Sequence, residues 1–71
     1  MIGERIKKKR LELGLTQMNL GEAVGVTFGM IGQIERGTRT VSAPLLVEIS
    51  KVLGCSVNYI LGIDDEVKTS S

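Results

Sequence analysis

The sequence predicts an all-α fold of five short helices, and three observations carry that prediction. Glycines and hydroxyl residues punctuate the chain in pairs, apolar residues recur at helical spacing between them, and Phe28 and Tyr59 are the only aromatics. Gly14, Gly25, Gly37, Gly54 and Gly62 each close an apolar or amphipathic run, where a left-handed C-terminal cap sits. Thr16, Thr27, Ser42 and Ser56 each open the next run, where an N-cap hydroxyl accepts from free backbone N–H groups. A β-sandwich would draw on more aromatic and β-branched strand residues.

The helices are expected at about 2–13, 17–24, 28–36, 43–53 and 57–61. In the first, Ile2, Ile6 and Leu13 share one face, and Arg5 and Lys7–Arg10 lie mostly elsewhere. In the second, Leu20, Ala23 and Val24 are expected to turn inward, and in the third Ile31 and Ile34 are one turn apart. The fourth carries the broadest apolar stripe, Leu45, Leu46, Ile49, Val52 and Leu53, with Pro44 in its first turn. The fifth is short and apolar, with Val57, Ile60 and Leu61. Residues 1–63 thus read as one domain, and 64–71, polar and uncapped, as a disordered tail.

Composition narrows the function. A chain of 71 residues buries only about 60% of its unfolded surface, which leaves little room for a catalytic cleft. With no histidine, one cysteine and no paired carboxylates in an expected pocket, acid–base and nucleophilic chemistry lack parts, so an enzyme is not expected. No metal ligands cluster, and no cofactor or small-molecule ligand is expected. Cys55 reads as a small buried apolar residue. No apolar run approaches the roughly 18 residues of a membrane helix. The charged start, MIGERIKKKR, does not resemble a signal peptide, so a cytoplasmic protein is expected. The net charge is only +1, but residues 1–41 carry +3 and residues 42–71 carry −2. The basic part permits contact with nucleic acid.

The most informative segment is TQMNLGEAVGVTFGMIGQIERG, residues 16–37. Small Gly21 allows close helix approach, Gly25 supplies the positive φ of a tight turn, and Ile31 and Ile34 pin the second helix to the body. At about 100° per residue the face opposite Ile31 and Ile34 holds Gly29, Gln33 and Arg36, with Gly32 beside it and Phe28 on the flank. Gln33 has the groups to pair bidentately with an adenine edge, and Phe28 could pack on a thymine methyl or simply cover the core edge. Met18 and Met30 read as core-edge filler, and Lys7–Arg10, taken alone, as a solvated face.

From Ile2 to Gly62 the chain resembles the Cro/CI type of phage repressor domain. The likeness rests on the R-x-x-x-G-L-T-Q-x-x-L run from Arg10 to Leu20, on Gly25-Val26-Thr27, on Ile34-Glu35-Arg36-Gly37, and on L-G-C-S-V-N-Y-I-L-G at 53–62. The resemblance implies a compact lambda-repressor-like domain whose helix after Thr27 enters the DNA major groove. It further implies that Gln17 grips a phosphate, helped by a helix N-terminus, and that Arg10, Thr38, Arg39 and Thr40 contact the DNA backbone. A homodimer on a near-palindromic operator is expected, joined around Val57, Tyr59, Ile60 and Ile63. Position 21, usually alanine in that family, is glycine here, and Gly29 and Gly32 stand where larger residues are expected. Either the backbone approaches the bases closely or few bases are read directly. Against DNA binding stands a reuse of the helix-turn-helix as a protein-interaction module.

Overall fold

The computed structural model describes residues 2–63. Its helices are α1 (Ile2–Glu12), α2 (Gln17–Val24), α3 (Phe28–Arg36), α4 (Ala43–Leu53) and α5 (Val57–Leu61). The residues expected to form a tail, 64–71, lie outside the described residues.

The punctuation acts as read. The hydroxyls of Thr16, Thr27, Ser42 and Ser56 each accept the N–H three residues on, from Asn19, Met30, Leu45 and Tyr59. Asn19 Oδ1 in turn accepts the Thr16 N–H at 3.0 Å, completing a capping box with the shorter asparagine where a glutamate or glutamine is common. All five closing glycines have positive φ, among them Gly25 at 83° in the turn between α2 and α3. A side chain there would strain the turn.

Every helix contributes to one core: Ile6 from α1, Leu20 from α2, Ile31 and Ile34 from α3, Leu46, Ile49 and Leu53 from α4, and Ile60 from α5. Leu45, Val52 and Val57 pack against it, half-buried. Several expected core residues lie outside it. α1 stops at Glu12, so Leu13 leaves the helical face of Ile6 and stands exposed. The inward face of α2 is set by Leu20 and Val24 one turn apart, which leaves Ala23 in solvent. Ile2 and Leu61 sit at the rim, largely exposed, and Met18 is exposed where filler was expected. Met30 does pack against the core.

Two glycines set how closely elements pack. A Cβ on Gly21 would lie 2.6 Å from the Val26 carbonyl oxygen, so α2 presses on the turn that leads into α3. A Cβ on Gly3 would collide with the carbonyl oxygens of Ile34 and Glu35. That second contact, unforeseen in the sequence, seats α1 on the C-terminal end of α3.

Candidate nucleic-acid interface

The third helix is divided cleanly between inside and outside. Ile31 and Ile34 are buried in the core, while Phe28 is 56% exposed and Gly29 and Arg36 are also exposed. Phe28 therefore does not cover the core edge. Thr27 caps the helix with Oγ1, which takes the Met30 N–H at 3.2 Å. The N–H groups of Phe28 and Gly29, in the same first turn, have no partner within the helix. Such a turn offers donors and a partial positive charge to an anion.

Beneath the helix runs a buried polar network. Glu35 receives Arg10 through Nε at 2.7 Å and Nη2 at 3.1 Å, a bidentate pair, and Arg10 Nη1 donates to the Leu15 carbonyl at 2.8 Å. Arg10 is only 6% exposed, and all three of its guanidinium nitrogens donate within the fold. These bonds tie Arg10 into the fold, where a contact with DNA backbone was expected. An arginine one turn from the end of α1 faces the acidic residue of α3, and burial favours the closest opposite charge.

Gln17 joins this network by donating Nε2 to Glu35 Oε1 at 3.2 Å. The bond holds its amide at the start of α2, beside α3. A Cβ on Gly32 would meet Arg36 Nη1 at 3.3 Å and Gln17 Oε1 at 3.4 Å. Gly32, expected beside the outward face, thus lies beneath Gln17 and Arg36 and is buried. Its missing side chain lets two polar groups from different helices lie over the α3 backbone.

The loop after α3 is tied back to the helix. The Thr38 N–H donates to the Gln33 carbonyl at 2.9 Å and the Gly37 N–H to the Ile34 carbonyl at 3.1 Å, the paired bonds of a Schellman cap. Thr38 Oγ1 adds a bond to the same Gln33 oxygen at 3.2 Å. Arg39 Nε then donates to the Gln33 side-chain Oε1 at 2.8 Å. Thr38, Arg39 and Thr40 are all exposed. The outward surface thus joins the start of α2, the outer face of α3 and residues 38–40.

Comparison with known proteins assigns this arrangement. A family model described as helix-turn-helix matches residues 6–60. The chain belongs to the Cro/CI-type helix-turn-helix family. It is 41% identical over 58 residues to an uncharacterized HTH-type transcriptional regulator of Sinorhizobium medicae, covering 82% of this chain and 42% of that protein. Among solved structures it resembles the P22 c2 repressor bound to a synthetic operator, with TM-score 0.81, 38% identity, and 84% and 91% of the two chains covered. It also resembles SinR, a master regulator for biofilm formation solved with DNA, with TM-score 0.80, 39% identity, and 86% and 98% covered. The chain spans less than half the length of the Sinorhizobium relative.

Within this helix-turn-helix frame, two site expectations change and one gains a test. Ile60, expected at a dimer contact, is fully buried in the core, where α5 packs on α1 and α4. Val57 packs on the same core. Tyr59 is half-buried, with Arg5 5.1 Å and Lys9 5.3 Å from its ring centroid, and Arg5 Nη1 bonds its carbonyl at 3.2 Å. Tyr59 therefore fastens α5 to α1 through cation–π contacts. Ile63 remains exposed beside Leu61, and the sequence reading missed the apolar groove that Ile2, Ile34, Val41 and Leu61 line.

Gly29 has room around it. A Cβ there would approach only Thr27 Oγ1, at 3.9 Å, so the fold does not require a glycine. Gly29→Ala is expected to raise stability by about 0.5–1 kcal/mol in thermal melts. If the helix backbone must lie against bases, the same variant loses DNA affinity although it is more stable. Unchanged affinity would mean that Gly29 is merely tolerated.

Proposed function

We propose that this domain binds double-stranded DNA sequence-specifically as a transcriptional regulator, by kind a repressor, with α3 in the major groove. The division of α3 carries the reading. Its apolar side is locked into the core by Ile31 and Ile34, so Phe28, Gly29, Gln33 and Arg36 are presented on a rigid element. Gln17, held by Glu35, would contact a phosphate together with the open N–H groups at the start of α2. Thr27, Thr38 and Thr40 would contact backbone beside the reading helix and fix its register. The solved neighbours with operator and DNA, P22 c2 and SinR, support the same use of the fold.

The reading assigns no catalysis. The relatives carry the names of regulators, and burial pushes the half-buried Cys55 thiol up from its ordinary pKa, against thiolate chemistry. No helix among the described residues is long and apolar enough to cross a membrane, and the reading places the protein with DNA in the cytoplasm.

One short helix reads few base pairs, so the domain would work as a two-fold dimer on a near-palindromic site. The exposed apolar residues Ile2, Leu61 and Ile63 offer the contact, in place of buried Ile60. Gln33→Ala is expected to weaken binding to a site selected from random duplexes by about 1–3 kcal/mol and relax preference at one base pair per half-site. Quantitative gel shifts on selected and random DNA check this. Equal losses on both would remove Gln33 from the reading of sequence. No binding to any duplex at low salt would leave the fold as a protein-interaction module.

A further inference from the structure

We propose that Arg39 sets the base specificity of Gln33 by holding its amide with the NH2 group outward, so that the domain selects a keto base, guanine or thymine, at the position Gln33 reads. The inference rests on the DNA-binding reading above and adds to it which base edge is chosen, and by what.

A glutamine side chain has an oxygen that accepts and a nitrogen that donates, and rotation about its last bond exchanges them. Left to itself it suits adenine, whose N6 donates and N7 accepts. Here it is not left to itself. Arg39 Nε, a donor only, lies 2.8 Å from one end of the amide, and that end must be the oxygen. The nitrogen takes the other end and bonds to no group among the described residues. The outward NH2 can donate to both O6 and N7 of guanine or to O4 of thymine, whereas adenine offers it N7 alone, with the N6 donor beside it. The amino groups of adenine and cytosine would face a second donor there, which is unfavourable once water is excluded.

The placement of Arg39 is built, not incidental to a free side chain on a loose loop. The preceding residue, Thr38, is bonded twice to the Gln33 backbone carbonyl, through N–H at 2.9 Å and Oγ1 at 3.2 Å. Gly37 closes the helix with φ 81° and completes the Schellman cap. Residue 33 is therefore held at its main chain by residue 38 and at its side chain by residue 39. Arg39 acts here as a positioning residue, through Gln33. A phosphate contact by its remaining N–H groups would be compatible with that role.

The test is selection of binding sites from a randomised duplex by the intact 71-residue chain and by its R39K, R39A and Q33A variants, with thermal melts alongside. The Q33A profile identifies the base pair that Gln33 reads. At that pair the unaltered chain is expected to select guanine or thymine. R39A, which removes the donor, should shift the preference toward adenine by about tenfold, with the melting temperature unchanged, while R39K, whose ammonium is again a donor only, should keep guanine or thymine. In the Q33A background R39A should change no base preference. The proposal is overturned if R39A keeps the same base at that pair, or if it only lowers affinity equally on all sequences, which would make Arg39 a phosphate contact alone. Selection of no sequence by the unaltered chain would instead sink the DNA-reading function itself, and this inference with it.

Discussion

Replacing Arg10 by methionine is expected to cost the domain about 3–5 kcal/mol, because it leaves the Glu35 carboxylate buried without its cation. Glu35 would retain only the Gln17 amide at 3.2 Å, and the Leu15 carbonyl would lose its donor. Small domains have only about 5–15 kcal/mol of stability in all, so urea or thermal melts should show a large drop. Removing both charges together, as R10M with Glu35→Leu, should recover much of the loss, since an apolar pair of similar volume often replaces a buried ion pair without penalty. A phosphate-contact role predicts the opposite pattern: normal melts, reduced DNA affinity and a flatter salt slope. The network also reaches function, because Glu35 orients Gln17. The double variant should fold yet bind DNA more weakly.

Ile31→Ala should be similarly severe. Ile31 is fully buried on the inner face of α3, and truncating such a side chain costs about 2–5 kcal/mol through lost burial and the cavity left behind. Ile31→Val should cost only about 0.5–1.5 kcal/mol. The pair separates packing from reading. Valine keeps α3 seated, so its selected base sequence should be unchanged, while alanine loosens the helix and should weaken all DNA binding at temperatures where the domain is still folded. Denaturant titrations and gel shifts on the same samples check both. A mild effect of alanine would mean that α3 is held chiefly by other contacts, such as its close seat against Gly3.

What was legible in the sequence is what local chemistry controls. The N-cap hydroxyls and the left-handed glycines act within a few residues of themselves, so they located all five helices. The inner face of α3 was legible for the same reason, since Ile31 and Ile34 are one turn apart. Periodicity was weaker where a helix was short or ended early. Leu13 lies past the last turn of α1, and Ile60 and Leu61, adjacent in a five-residue helix, went in opposite directions.

Tertiary partners were not legible. Arg10 and Glu35 are 25 positions apart, and only the folded chain shows that they meet. The family resemblance offered Arg10 as a backbone contact and gave no sign of its carboxylate partner. Nothing in the sequence marked Gly3, although a side chain there would meet α3 backbone. Gly32 looked like a missing base contact and is the floor beneath Gln17 and Arg36. The bond between Gln33 and Arg39 spans six positions, but it depends on the exact course of the loop after Gly37.

The most direct test of the central claim, that the outer face of α3 reads DNA, is an amide chemical-shift titration with a selected duplex. The account predicts that perturbations concentrate at the start of α2, from Thr16 to Met18, and along residues 27–40. It also predicts that Phe28, Gly29 and Gln33 respond differently to selected and random DNA. Shifts confined to the groove around Ile2, Val41 and Leu61, with α3 unaffected by either duplex, would contradict it.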